Sequence, residues 1–246
     1  MNILNLIRWK NLLIIIATQL LVKYALLEPY GIKTSLSALG IGLLILATVC
    51  IAAAGNIIND IYDAETDAIN KPDKRIVGKT ISEKTAFNLF IIFNIAGVGI
   101  GFYVSNLVGK SGLFSLFVIT SALLYVYASY LKRLLIIGNL VISLLVALSI
   151  LMVGIFDLLP AVTPQNRFIQ LSIFNIVFYY AVFAFAINLL REIAKDLEDI
   201  DGDYKTGMYT LPIAIGRTRA TNVLFVLTCI ITLLILYYTV NTLYKN

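Results

Sequence analysis

Two short acidic segments hold the side chains best suited to chemistry. In "GNIINDIYDAETDAIN", residues 55–70, Asn56, Asp60, Asp63 and Asp67 follow at steps of four, three and four. In "REIAKDLEDIDGD", residues 191–203, Glu192, Asp196, Asp199 and Asp203 repeat those steps. Such spacing returns to one face of a helix. Carboxylates stacked on one face repel, each i,i+4 pair costing about 0.2–0.5 kcal/mol even in water. A divalent cation removes that cost. Mg²⁺ takes oxygen ligands and commonly bridges one or two carboxylates to substrate phosphates. The paired stripes therefore predict a metal-bridged anionic ligand, such as a diphosphate, held between two helix ends. The sequence contains no histidine, which excludes imidazole-based zinc sites, Ser-His-Asp triads and histidine-ligated haem.

The elements that carry these stripes are apolar. The chain of 246 residues is 60% hydrophobic and 13% charged, about half the charge of a soluble domain. Apolar runs at 12–27, 36–58, 88–107, 113–131, 134–156, 168–190 and 222–243 approach the ~20 residues a bilayer-crossing helix needs. The expected fold is all-α, a transmembrane bundle of about seven spans. Cys50 and Cys229 fall inside spans and read as small hydrophobes, with no disulfide expected. The first run lacks a small-residue cleavage site and is expected to remain as a helix.

With the N-terminus in the cytoplasm, most Lys and Arg residues lie on the inner side, as the positive-inside rule requires. Apart from Glu28 and Asp157, every acidic residue falls within 60–83 or 192–203, on that same side. The expectation is an integral protein of the cell inner or plasma membrane with its active site facing the cytoplasm. Attraction to anionic lipid accounts for the basic residues, and no nucleic-acid partner is expected.

The segments Asn59-Asp60-Ile61-Tyr62-Asp63-Ala64-Glu65-Thr66-Asp67 and Asp196-Leu197-Glu198-Asp199-Ile200-Asp201-Gly202-Asp203 resemble the two aspartate signatures of UbiA-type intramembrane prenyltransferases. "YASYLKR", 127–133, resembles that family's Tyr and Lys loop, and the similarity runs on through "TLPIAIG", 210–216. The resemblance implies Mg²⁺-dependent transfer of a prenyl group from an allylic diphosphate to a membrane acceptor. It assigns metal binding to Asn59, Asp60, Asp63, Asp67, Asp196, Asp199 and Asp203, with Asp63, Asp67, Asp199 and Asp203 as the catalytic carboxylates. Tyr127 and Lys132 would meet the diphosphate, and Asn56 and Asn59 would line the substrate pocket; Asn11 and Gln19 in the first span and Asn139 in the fifth read equally as pocket lining or as interhelical contacts.

The second segment most resembles family members that alkylate geranylgeranylglyceryl phosphate. Lys71, Lys74, Arg75 and Lys79, just after the first motif, are the expected cations for such an acceptor's phosphate, with the positive-inside pattern an equal reading of them. The competing expectations are an aromatic quinone precursor as acceptor, or a non-catalytic binder or carrier of a lipid diphosphate. Family members usually have nine spanning helices, so the chain is expected to be one transmembrane domain over 1–246, shortened at its C-terminal end. Ile76 stands where the family often has proline.

Overall fold

A computed structural model describes residues 2–73 and 75–244, so Lys74 lies outside the described residues. The short helix α1 (Asn2–Leu6) precedes α2 (Trp9–Leu20), which widens into π-type turns over Leu21–Leu27. After a loop come α3 (Ala38–Tyr62), α4 (Ala64–Asn70), α5 (Glu83–Leu107) and α6 (Ser115–Ser129). The chain continues through α7 (Ile137–Val153), α8 (Arg167–Glu198), α9 (Ile200–Lys205), α10 (Leu211–Ile215) and α11 (Arg217–Tyr238). Seven helical stretches are long and apolar enough to cross a bilayer: Trp9–Leu27, Ala38–Tyr62, Glu83–Leu107, Ser111–Ser129, Ile137–Ala161, Arg167–Glu198 and Arg217–Thr242. They match the seven apolar runs of the sequence, because a helix is the form that satisfies its own backbone within lipid.

Helix α3 is the most buried span and packs on α2, α5, α6 and α7. Lipid tails are as apolar as leucine, so close contact rather than hydrophobicity holds such helices together. Small residues permit that contact. A Cβ at Gly97 of α5 would sit 2.7 Å from the Ile51 side chain of α3, and one at Gly101 would run into the Phe117 ring of α6. Helix α8 packs on α7, and α11 packs on α8. The remaining faces carry large apolar residues such as Phe168, Phe225 and Leu233 outward.

The two ends of the bundle treat charge differently. At the end away from the acidic segments, Lys23 and Asp157 pair at 2.8 Å with side chains 3% and 0% exposed. Lys23 also donates to Thr34 Oγ1 and to the Leu36 carbonyl, while Asp157 accepts from the Leu36 amide at 2.6 Å. This pair ties the connection between α2 and α3 to the end of α7 and leaves no net charge.

Removing one member strands a buried charge, which costs about 3–5 kcal/mol. Lys23→Met should therefore lower the unfolding midpoint in detergent markedly, and adding Asp157→Asn should recover part of the loss. Thermal unfolding of the two variants measures this, and equal midpoints for Lys23→Met and wild type would be inconsistent with the pair's role.

Candidate functional site

At the opposite end the long helices α3 and α8 both kink at an aspartate. Asp63 has φ −88° and ψ −1°, and Asp199 has φ −92° and ψ 6°. The hydrogen-bond ladder survives across each bend: the Asp63 amide donates to Asn59 O at 2.8 Å, and the Asp199 amide to Lys195 O at 2.9 Å. The sequence predicts unbroken stripes along continuous helices. The breaks correct this: Asp63 and Asp67 line a polar cavity, whereas Asn56 lines a second, apolar chamber and Asp60 neither.

The two short extensions, α4 and α9, are tied together by side chains. Asn70 Nδ2 donates to the Asp199 carbonyl at 3.0 Å, and Asn70 Oδ1 accepts from the Gly202 amide at 2.8 Å. Thr66 and Thr206 meet at 3.3 Å. A methyl group on Gly202 would run into the Asn70 amide. Asn70 and Gly202 thereby set the distance between the two acidic halves.

The joined halves enclose a polar cavity of about 40 Å³ lined by Asp63, Asp67, Asp196, Asp199 and Asp203, with Tyr127, Lys132, Asn139, Glu192, Lys195 and Thr210 among the other walls. Lys132, from the turn after α6, reaches Asp63 Oδ1 at 2.5 Å. Lys71 reaches Asp199 Oδ1 at 2.7 Å, and Asn139 donates to Asp196 Oδ2 at 2.8 Å. Burial alone would raise the pKa of Asp63, but the ammonium groups of Lys132 and Lys195 bring it below the ordinary carboxylate value. Asp67 is raised by burial and by the neighbouring Asp63 and Asp60. Asp203 is pushed up to about 7 by burial and by Asp196 and Asp199. Negative charge thus exceeds what the protein's own cations neutralise.

Beneath it lies a larger, mostly apolar chamber of about 210 Å³, walled by residues such as Leu12, Ile51, Phe117, Leu145 and Met152. Asn11, Asn56, Asn59, Arg8 and Arg191 lie along its lining, and Tyr127, Glu192 and Lys195 line both spaces. Asn56 donates to Ile7 O at 2.9 Å, and Asn59 donates to Asp63 Oδ2 at 2.5 Å.

Several placements differ from the sequence expectations. Asp60 does not line the polar cavity, because Arg8 holds it at 2.6 Å. Arg75 donates to Val77 O at 2.9 Å and closes its own turn, away from both cavities. Gln19 donates to Ser149 O at 2.6 Å as an interhelical contact. Among the described residues no three acidic side chains converge closely enough to grip a metal ion by themselves. The residues nevertheless fit a shared divalent cation. Asn59 Oδ1 and Thr210 Oγ1 are buried oxygens without a hydrogen-bond partner, and the surplus carboxylates supply the hard oxygen donors such an ion takes. Lys195 and Asn70 escape the sequence reading, because they owe their roles to contacts across the chain. Glu192 stands in the predicted stripe, whereas Lys71, expected as a cation for an acceptor phosphate, pairs with Asp199.

Seven spans, with an acid-lined polar cavity beside an apolar chamber, define an integral membrane protein. The UbiA prenyltransferase family matches residues 17–244, and the chain belongs to that family. It is 34% identical over 203 residues to digeranylgeranylglyceryl phosphate synthase of Methanosphaera stadtmanae, covering 80% of this chain and 68% of that protein. A solved structure of a digeranylgeranylglyceryl phosphate synthase in membranes superimposes with a TM-score of 0.63 at 26% identity, over 95% of this chain and 75% of the other. A UbiA homologue from Archaeoglobus fulgidus, solved with DMAPP and Mg²⁺, shares the fold with a TM-score of 0.65 at 20% identity, over 96% and 77% of the two chains. The chain spans 54% to 68% of the length of the curated relatives it matches.

Two outcomes test this geometry. Between the ordinary carboxylate value of 3.8 and about 7, the folded protein holds a proton on Asp203 that the unfolded chain has lost. Stability without metal should therefore fall as pH rises through that window, and Asp203→Asn should lack the fall; unfolding midpoints in EDTA across the range decide it. Gly202→Ala should force α9 off α4 and abolish the site's function while the spans stay folded, as read by circular dichroism beside an activity assay.

Proposed function

We propose that the protein transfers a prenyl group, geranylgeranyl by preference, from its diphosphate to the free hydroxyl of geranylgeranylglyceryl phosphate in the membrane. The observation that carries this reading is the wall of Tyr127, Glu192 and Lys195 common to both cavities. It brings a diphosphate head in the acidic cavity next to a chain and an acceptor in the apolar chamber. The naming of the relatives as digeranylgeranylglyceryl phosphate synthases favours the lipid acceptor over an aromatic one.

Asp63, Asp67, Asp196, Asp199 and Asp203 would hold Mg²⁺ against the diphosphate, with Asn59 Oδ1 able to join them. When bound, Mg²⁺ supplies positive charge to the leaving diphosphate oxygens. Lys132, buried beside Asp63, donates to those oxygens as the allylic carbon–oxygen bond breaks and its electron pair leaves with the diphosphate. The apolar walls keep water from the allylic cation. The acceptor hydroxyl oxygen then forms the new carbon–oxygen bond and releases its proton. Glu192 is the carboxylate that lines both spaces and is placed to take that proton. The basic residues around the acidic end orient it toward the cytoplasm.

Membranes containing the protein, given labelled geranylgeranyl diphosphate, Mg²⁺ and the glyceryl phosphate lipid, should form the doubly alkylated ether. Asp63→Ala, Asp199→Ala and Lys132→Met should each cut turnover by about 100-fold or more with membrane content unchanged. Near-normal turnover in Asp63→Ala would overturn the reading.

A further inference from the structure

The ionised groups are sorted between the two connected spaces. The polar cavity has six carboxylates, with Glu192 completing the five aspartates, against Lys132 and Lys195. The apolar chamber has the opposite balance among its lining residues, with Arg8, Arg191 and Lys195 against Glu192 alone, although Arg191 pairs with Glu192 at 3.2 Å and Arg8 with Asp60 at 2.6 Å. An anion entering the first space must bring a cation with it, whereas an anion entering the second finds cations already in place.

Two details indicate that these cations are set for a ligand. Arg8 occupies the left-handed region at φ 53° and ψ 54°, a conformation costing about 1–2 kcal/mol for a residue with a side chain. The bend joins α1 to α2 and delivers the guanidinium to the chamber. Asp60 takes up Nη2, leaving further donors of the guanidinium fork free to pair with an oxyanion. The Lys195 side chain lines both spaces, and among the described residues its ammonium makes no hydrogen bond or ion pair, although it lies within the fields of Asp63, Glu192 and Asp199.

We propose that Arg8, Arg191 and Lys195 form the seat of the acceptor's own phosphate, a monoester that binds without metal while the diphosphate binds with it. The inference rests on the transfer reading above. The acceptor's tail lies among the apolar walls, its phosphate meets Arg8 and Arg191 at the rim, and Lys195 stands between the two anionic heads. Charge type alone then keeps each substrate in its own place. The sequence expectation gave this task to Lys71, Lys74, Arg75 and Lys79, but Lys71 pairs with Asp199 and Arg75 is committed to its own turn.

The test is direct binding to the full chain in lipid nanodiscs. Radiolabelled geranylgeranylglyceryl phosphate should bind wild type in EDTA, and its dephosphorylated alcohol should bind at least about tenfold more weakly, as loss of charge-assisted hydrogen bonds requires. Arg8→Gln and Arg191→Gln should each weaken lipid phosphate binding by about tenfold on the same basis. Neither should alter Mg²⁺-dependent binding of geranylgeranyl diphosphate to a comparable degree. Arg191 is an exposed side chain, so its variant decides the matter even if Arg8→Gln misfolds. Binding of the lipid phosphate that requires Mg²⁺, equal affinity for the alcohol, or an unchanged Arg191→Gln protein would each overturn the proposal. Loss of the transfer reading appears separately, as absence of product from wild type whatever the binding result.

Discussion

Unbalanced negative charge at a helix end, close to a medium that solvates it poorly, is the constraint the rest of this structure answers. Burial alone makes the charged form of a carboxylate costly, and a like charge nearby adds to the cost. Here Asp63, Asp67, Asp196, Asp199 and Asp203 line one small space. Lys132 and Lys71 neutralise part of the field. They do not complete the task, and the raised pKa of Asp203 is the residue of charge left over.

Holding such a cluster requires rigid supports, because repulsion would otherwise spread it. The supports are uncharged. Asn70 bridges α4 to α9 through both ends of its amide, and Gly202 lets that amide approach. Farther down, Gly97 and Gly101 allow α3, α5 and α6 into contact, so the helix bearing the first acidic half has little freedom to move. The Lys23–Asp157 pair closes the far end with matched charge, which is why its two side chains can be buried without a surplus to neutralise.

The spans were readable in the sequence because a membrane leaves no other conformation open to an apolar run of that length. The acidic lining was readable for a related reason: helical periodicity alone places Asp63 with Asp67 and Asp199 with Asp203. Periodicity describes one helix at a time, and the misreadings concern partners that lie off the helix face. Asp60 belongs to its stripe by spacing, yet Arg8, fifty-two positions earlier, takes it. Arg75 looked like a free cation beside the motif, but the turn it sits in supplies a nearer partner. Asn70 falls in no recognisable pattern, since its importance arises only when α9 arrives from 129 to 132 positions away.

The contrast between the two ends also explains why the cations of the apolar chamber were hard to anticipate. In the sequence Arg8, Arg191 and Lys195 look like the basic residues any inner membrane face collects. Their significance lies in position relative to the carboxylates. On α8, Arg191 lines only the apolar chamber and Asp196 only the polar cavity, while Glu192 and Lys195 between them line both. Neighbouring turns of one helix thus present a base to one space and an acid to the next. Under the proposed transfer between two anionic lipids, a single pool of positive charge would let either head occupy the other's place. Separating metal-dependent from metal-independent attraction over a few turns of helix would supply that order without a moving part.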